Sequence, residues 1–255
     1  MWGKRKDMQT KTQSIAVSRI SILLKCGVVL SSIGAIFFQM FEPNYKGLLP
    51  ILKAFTIQSN LWIGITCLVF LILILKWKDE SKIPQWLYHV KFMFTVDILL
   101  TYLVFAVLLS PLMSLRFLTS TANFFQHNLT SILALLDFLI TDPKFVSKGK
   151  HVWLSLLPTL AYAIYFFTSY AITGIMPVAY FFLDYKKLGW FTIGDAGIGV
   201  GIWTLLLCGL LLIIGVFVLK LKKLFDKNPK WTGVAVIATM LVLSLFFVIQ
   251  KMISV

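Results

Sequence analysis

Repeated long apolar runs are the feature that most limits how this chain can fold. Each run is bounded by charged residues, proline or glycine, and an apolar run of about 20 residues is what an α-helix needs to cross a bilayer. Hydrophobic residues make up 59% and charged residues 13% of the 255 residues, against about 45–50% and about 25% in soluble domains. The sequence therefore excludes a sizeable soluble domain and predicts an all-α, polytopic transmembrane helix bundle.

The apolar runs predict seven spans within a single transmembrane domain covering residues 1–255. We expect the spans at residues 15–40, 50–75, 87–112, 120–140, 151–170, 197–219 and 231–250. Segment 171–196 is too irregular for a span and too apolar for a solvated loop. Because it is rich in aromatic residues, we expect it to form a re-entrant or interfacial cap. Gly197 and Gly201 are four residues apart and predict close helix packing in the sixth span.

The excess of 14 basic over acidic residues predicts a membrane topology rather than a nucleic-acid partner. Of the 24 lysines and arginines, 15 fall on one predicted side, in segments 4–11, 76–82, 144–150 and 220–230. The other side carries six: Lys46, Lys53, Arg116, Lys186, Lys187 and Lys251. By the positive-inside rule the N-terminus is expected in the cytoplasm and the C-terminus outside. No nucleic acid is expected as a partner, because no aromatic residues are interleaved with the basic clusters.

The cysteines indicate neither a disulfide framework nor a metal site. Cys26, Cys67 and Cys208 all lie inside apolar runs, and none has the spacing of a metal-binding motif. We therefore expect no metal and no cofactor.

Two clusters of polar residues inside the predicted spans are candidates for function, because polar groups in hydrocarbon are costly unless they are paired. The first is FTIQSN at residues 55–60, where Thr56, Ser59 and Asn60 share one helical face. The second is a polar stripe along the fourth span, made by Asn123, His127, Thr130, Ser131 and Asp137.

Thr56 and His127 are expected to lie at the same depth near the outer side. Each follows the start of its span by about seven residues, or roughly 10 Å at 1.5 Å per residue. A hydroxyl beside an imidazole suits nucleophilic acyl chemistry, in which the imidazole accepts the hydroxyl proton. Nearby amides are candidate donors to the oxyanion. The alternative interpretation is that both side chains make only interhelical hydrogen bonds.

The ionisable residues in other spans predict structural ion pairs. Lys25 and Asp97 both lie near the predicted midplane, so we expect them to pair. Arg19 and Asp137 lie nearer the cytoplasmic edge and are also expected to pair, unless Arg19 extends to the interface instead. The functional alternative is a proton or ion pathway through Lys25, Asp97 and Asp137.

Three segments, in this order, resemble the androgen-induced and androgen-dependent TFPI-regulating protein family of intramembrane threonine hydrolases. FTIQSN at 55–60 is similar to the family segment that carries the threonine nucleophile, and QHNLTSILALLDFLI at 126–140 is similar to its histidine helix. PTLAYAIY at 158–165, followed by Gly174 and YFFLDY at 180–185, resembles its tyrosine-rich helix and aromatic loop. The resemblance covers residues 15–220 and leaves the span at 231–250 as an addition.

The resemblance implies a bacterial-type member that hydrolyses fatty acid esters of hydroxy fatty acids in the cell membrane. It implies Thr56 as the nucleophile and His127 as the general base, with membrane lipids and a lipid ester as partners. The expected substrate-binding or oxyanion residues are Gln58, Ser59, Asn60, Asn123, Tyr162, Tyr180 and Asp184. Asp184 is also a candidate to approach His127. The alternative is a non-enzymatic protein, either a small transporter or a structural bundle.

Overall fold

A computed structural model describes residues 2–42, 47–142, 145 and 148–253 of the chain. Within these residues, seven helices are long and apolar enough to span a membrane. In chain order they are span 1 Arg19–Gln39, span 2 Phe55–Trp77, span 3 Gln85–Leu112, span 4 Thr121–Thr141, span 5 Gly149–Thr173, span 6 Val200–Lys227 and span 7 Pro229–Ile253. The seven predicted spans and the all-α class are confirmed, and the protein is an integral membrane protein.

The bounds of the individual elements show where the helices depart from regular α geometry. The α-helices are α1 Trp2–Gln39, α2 Leu48–Ile51, α3 Phe55–Trp77, α4 Gln85–Val104, α5 Leu115–Leu118, α6 Thr121–Asn123, α7 Thr130–Thr141, α8 Leu156–Thr173, α9 Tyr185–Leu188, α10 Val200–Lys227 and α11 Pro229–Ile253. Turns of 3-10 helix lie at Glu80–Lys82, Ser110–Leu112, Gly149–Ser155 and Phe181–Leu183. Spans 3 and 4 each contain a π-helical segment, at Phe105–Leu109 and Phe124–Leu129.

The largest apolar core lies between spans 2, 3, 4, 6 and 7, with Val152 added from the start of span 5. Its central side chains, Phe70, Phe92 and Phe138, are almost completely buried. Elsewhere the helices expose many large apolar side chains, such as Ile164 and Leu205, as expected for helices that face lipid. The side of the membrane on which the N-terminus lies stays a prediction, and two of the residues used for it, Lys46 and Lys144, lie outside the described part of the chain.

The aromatic segment between spans 5 and 6 does not cross the bundle. It contains α9 and a short antiparallel hairpin of β1 Ile193–Gly194 and β2 Gly197–Ile198. Phe182, Leu183 and Leu188 are buried against spans 5 and 6. The segment thus closes the end of the bundle formed by these two spans.

The prediction that Gly197 and Gly201 pack two helices together is wrong. Gly197 has φ +116° and lies in the hairpin, in a conformation that favours glycine. Gly201 lies at the start of span 6, where a Cβ would approach the Phe191 ring to 2.5 Å and the Trp190 carbonyl oxygen to 2.8 Å. Both glycines therefore serve the connection to span 6 rather than a helix pair.

Candidate functional site

Thr56 lies in the first turn of span 2, where the helix begins after Ala54. Ala54 has extended backbone angles and is the N-cap. The Thr56 side chain is half-buried, and its hydroxyl makes no hydrogen bond to any described residue. The Thr56 carbonyl oxygen accepts hydrogen bonds from Ser59 Oγ at 3.0 Å and from Asn60 Nδ2 at 2.7 Å. The backbone is thereby held from two sides while the hydroxyl stays free to react.

His127 lies in the π-helical segment of span 4 and is 4% exposed. Its ring stacks on Phe105 with centroids 3.6 Å apart and an angle of 13° between the planes. Phe105 begins the π-helical segment of span 3, and such segments are frequent at functional sites. His127 Nδ1 is buried and has no partner among the described residues. The ring is therefore oriented by stacking on Phe105, and no carboxylate in the described part of the chain bonds it.

Thr56 and His127 line the same cavity, which has a volume of about 580 Å³. We call it the wide cavity. No hydrogen bond joins the two side chains, although catalytic hydrogen bonds often tighten only when substrate is bound. Several further polar side chains line the wide cavity: Gln39, Glu42, Ser114, Arg116 and Gln126. The structure thus brings the two predicted catalytic residues to one space.

A second cavity of about 90 Å³, the narrow cavity, begins at Thr56 and lies between spans 2, 3, 5 and 6. Its lining is largely apolar: Phe55, Leu100, Val104, Leu109, Leu160, Ala163, Phe167, Phe182, Leu183 and Leu207, with Tyr162, Cys208 and threonines on spans 2, 3, 5 and 6. Thr56, Leu109 and Tyr180 line both cavities, whereas His127 lines only the wide one. Thr56 therefore stands at the junction of the two spaces.

The predicted oxyanion donors of span 2 are engaged elsewhere. Asn60 Nδ2 donates to the Thr56 carbonyl and, at 3.0 Å, to the Gln126 carbonyl, so both of its amide hydrogens are used. Gln58 Nε2 donates to the Leu52 carbonyl at 2.9 Å, and Ser59 Oγ lies 2.9 Å from the Thr101 hydroxyl. None of the three lines either cavity. The prediction that these three side chains face a substrate is wrong, because all three bond neighbouring backbone or a neighbouring helix instead.

Asn60 instead links the segment that carries Thr56 to the segment that carries His127. One amide group bonds both the backbone of Thr56 and the backbone of Gln126, the residue before His127. This contact fixes the start of span 2 against the π-helical segment of span 4. We infer that Asn60 is a positioning residue.

The remaining predicted substrate residues divide between the cavities and other places. Tyr162 lines the narrow cavity, and its hydroxyl donates to the Lys53 carbonyl at 2.9 Å, just before span 2. Tyr180 lines both cavities. Asp184 accepts from the Tyr170 hydroxyl at 2.7 Å and caps α9, so its carboxylate orients the aromatic segment and not His127.

Asn123 also lies away from the predicted site. Its Nδ2 donates to the Leu118 carbonyl at 2.7 Å. It lines a separate small cavity beside spans 3 and 7 and does not line the wide cavity. Spacing on span 4 placed Asn123 beside His127, but the π-helical segment between them changes the direction of its side chain.

Sequence reasoning missed five polar residues of the wide cavity, Gln39, Glu42, Ser114, Arg116 and Gln126. Gln126 Nε2 donates to Gln39 Oε1, which joins span 4 to the end of span 1. Glu42 follows span 1, and Ser114 and Arg116 follow span 3, so none of these three cavity residues lies within an apolar run. The sequence feature that could have identified this cavity was the pair Gln126–His127, since two adjacent polar residues in a span are unusual.

The buried charges pair differently from the predicted ion pairs. Asp137 accepts from Lys25 at 3.0 Å and from Lys91 at 2.6 Å, and Lys91 also bonds Asp142 at 2.9 Å. All four side chains are at most 1% exposed, and we call them the charge cluster. Burial raises the pKa of the Asp142 carboxyl, an effect that the neighbouring Lys91 opposes.

Both predicted pairs are therefore wrong. Asp97 is buried and accepts from the Thr159 hydroxyl at 3.1 Å, so it faces span 5 and not Lys25. Arg19 is exposed, while Asp137 is enclosed by two lysines. The expected equal depth of Lys25 and Asp97 was also wrong, because Lys25 contacts Asp137 together with Lys91, and Asp97 lies six residues beyond Lys91 on span 3, about 9 Å along the helix.

Comparison of the chain with known protein families, with curated proteins and with solved structures finds no match in any of the three. Within residues 2–42, 47–142, 145 and 148–253, no three His, Cys, Asp or Glu side chains are grouped so that they could hold a metal ion.

Proposed function

We propose that this protein is an intramembrane hydrolase of lipid esters, with Thr56 as nucleophile and His127 as general base. The observation that carries the proposal is that the two residues line one cavity, from which an apolar second cavity continues past Thr56. Membership of the androgen-induced family, which residues 15–220 resemble, and a bacterial cell membrane as its location are parts of the same proposal.

In this mechanism, the Thr56 oxygen attacks the ester carbonyl while His127 accepts the hydroxyl proton. The tetrahedral oxyanion needs donors, and the side-chain amides of span 2 are already bonded. The Thr56 N–H is the donor that remains, because it makes no hydrogen bond to any described residue and the first N–H groups of a helix have no intrahelical partner. His127 then returns the proton to the leaving alcohol, and water releases the acyl group from Thr56.

The surroundings of Thr56 suit a substrate that arrives from the bilayer. Leu160 on span 5 lines the narrow cavity and is 42% exposed. An acyl chain that enters between spans 5 and 6 would reach Thr56 without passing through water. The apolar lining then favours the chain by burial of its methylene groups, at about 0.8 kcal/mol each.

The charge cluster does not support the alternative that the protein is a transporter. Its two lysines and two aspartates are paired with one another, and Asp97 is bonded to Thr159 instead of joining them. A conducting path needs a chain of polar groups that leads across the membrane. A packing role for the cluster is compatible with the hydrolase.

The test is hydrolysis of a long-chain fluorogenic ester by the purified protein in detergent. Thr56→Ala and His127→Ala should each lower kcat/KM by at least about 100-fold, the usual scale for an acid–base group. Thr66→Ala and His151→Ala are matched controls, because these residues lie outside both cavities and should retain activity. Activity that survives both Thr56→Ala and His127→Ala would rule out this mechanism.

Covalent labelling separates the hydrolase from a non-enzymatic bundle. A lipophilic fluorophosphonate should label the wild-type protein at Thr56, and the label should be found on that residue by peptide mass spectrometry. Thr56→Ala should block labelling, while Thr66→Ala should not. Equal labelling of the wild type and Thr56→Ala would contradict the assignment of the nucleophile.

A further inference from the structure

The two cavities that meet at Thr56 are not equivalent, because only one of them contains the general base. His127 lines the wide cavity and is absent from the lining of the narrow one. The wide cavity also carries polar side chains, including Gln126 and Arg116, whereas the narrow cavity is bounded mainly by aliphatic and aromatic groups such as Phe167 and Leu207.

An ester bound at Thr56 has two arms, and the chemistry decides which arm lies beside His127. The oxygen that leaves with the alcohol must receive a proton as the tetrahedral intermediate collapses. The base that accepted the Thr56 proton is the group that returns it. The alcohol arm must therefore extend into the cavity that His127 lines, and the acyl arm must extend away from it.

We propose that the narrow cavity binds the acyl chain and the wide cavity binds the alcohol part of the ester. This assignment rests on the proposed function of Thr56 and His127. It places the acyl chain among the apolar side chains of the narrow cavity and the alcohol part among the polar side chains of the wide cavity. Ala163, on the span 5 side of the narrow cavity, limits the acyl chain, and Ala179 borders the alcohol part.

The reaction has two steps, acylation of Thr56 and hydrolysis of the acyl-threonine. The bond from Thr56 Oγ to the acyl carbon forms, the bond from that carbon to the alcohol oxygen breaks, and the threonine proton passes through His127 to the alcohol. Water from the wide cavity then attacks the acyl-threonine, again with His127 as base. Thr56 regains its proton and a free fatty acid is released, so ester and water give acid and alcohol.

Two ester series test the assignment. In the first, the alcohol is constant and the acyl group runs from butyryl to palmitoyl; in the second, the acyl group is butyryl and the alcohol lengthens in the same steps. Ala163→Leu should lower the ratio of kcat/KM for palmitoyl over butyryl esters by about tenfold or more, the scale of one misplaced methylene group. It should leave the alcohol-length preference as it is in the wild type.

Ala179→Leu should produce the reverse pattern, with a changed alcohol-length preference and an unchanged acyl-length preference. Leu207→Ala, which enlarges the narrow cavity, should raise the preference for long or branched acyl groups. Ile164→Leu is the control, because Ile164 follows Ala163 on span 5 but is 69% exposed and lines neither cavity. Each measurement is a ratio of kcat/KM values for two esters with the same variant, so a smaller fraction of folded protein does not change it.

The outcomes separate this proposal from the one on which it rests. If the wild type hydrolyses esters but Ala163→Leu changes the alcohol-length preference and not the acyl-length preference, the arms are assigned wrongly and the hydrolase survives. The same holds if Ala163→Leu and Ile164→Leu behave alike. If the wild type hydrolyses no ester of either series, the proposed function and the assignment both fail.

Discussion

Asp137 joins spans 1, 3 and 4 through buried charges, and neutralising it should strongly destabilise the protein. Its carboxylate bonds Lys25 at 3.0 Å and Lys91 at 2.6 Å, and it also accepts from the Thr141 hydroxyl at 2.6 Å. Asp137→Asn preserves the shape of the side chain while it removes one negative charge. Lys91 then retains Asp142 as its carboxylate partner, whereas Lys25 loses the carboxylate that it contacts.

The expected loss follows from which charge is left uncompensated. Removing one partner of a buried ion pair typically costs about 3–5 kcal/mol, because the other charge stays buried. Among the described residues, Lys25 contacts no second carboxylate and retains only the hydroxyls of Ser21 and Thr141. The loss of unfolding free energy caused by Asp137→Asn should therefore fall within that range. Lys25→Met combined with Asp137→Asn restores neutrality and should recover about 1–3 kcal/mol relative to the sum of the single changes.

Reversible unfolding in mixed micelles, followed by circular dichroism, measures these free energies. Asp226→Asn is the matched control, because Asp226 pairs with Lys222 at 3.2 Å but its side chain is 59% exposed. It should change the free energy of unfolding by less than about 1 kcal/mol. If Asp137→Asn is no more destabilising than Asp226→Asn, the charge cluster does not hold the spans together.

Two further changes test contacts between helices. Asn60→Ala removes the amide that links spans 2 and 4, so kcat should fall about tenfold or more while KM changes little, since small displacements of catalytic groups are costly. Gln58→Ala is the control and should lower kcat less, because the Gln58 amide bonds only the turn before span 2. Equal losses of kcat in the two variants would argue against a positioning role for Asn60. Tyr102→Phe removes the 2.6 Å hydrogen bond to the Met240 carbonyl, which contributes about 1 kcal/mol. Hydrogen exchange should then quicken in span 7, at Pro229–Ile253, and a uniform change over all spans would contradict this.

The spans could be predicted from sequence because the length of an apolar run directly states whether a helix can cross a bilayer. The meeting of Thr56 and His127 at one cavity agrees with their equal predicted depth, which needed only a residue count and a topology. Both predictions depend only on the position of a residue along its helix axis.

The pairing of charges depends on the register between neighbouring spans and on the rotation of each helix, neither of which the sequence supplied. Lys25 meets Asp137 at the level of Lys91, whereas Asp97 lies six residues farther along span 3, about 9 Å away, and faces Thr159 on span 5. Rotation of each helix depends on packing of all its neighbours. The π-helical segments added to the difficulty, because each one shifts the faces of the residues that follow it.

The charge cluster also constrains the order in which the membrane protein can assemble. Lys25 and Lys91 belong to spans 1 and 3, whereas the carboxylates that neutralise them belong to span 4 and the residue after it. A lysine inside a membrane is costly when it has no partner. Lys25 and Lys91 therefore lack their buried carboxylate partners until span 4 packs against spans 1 and 3, and only then can the charge cluster form.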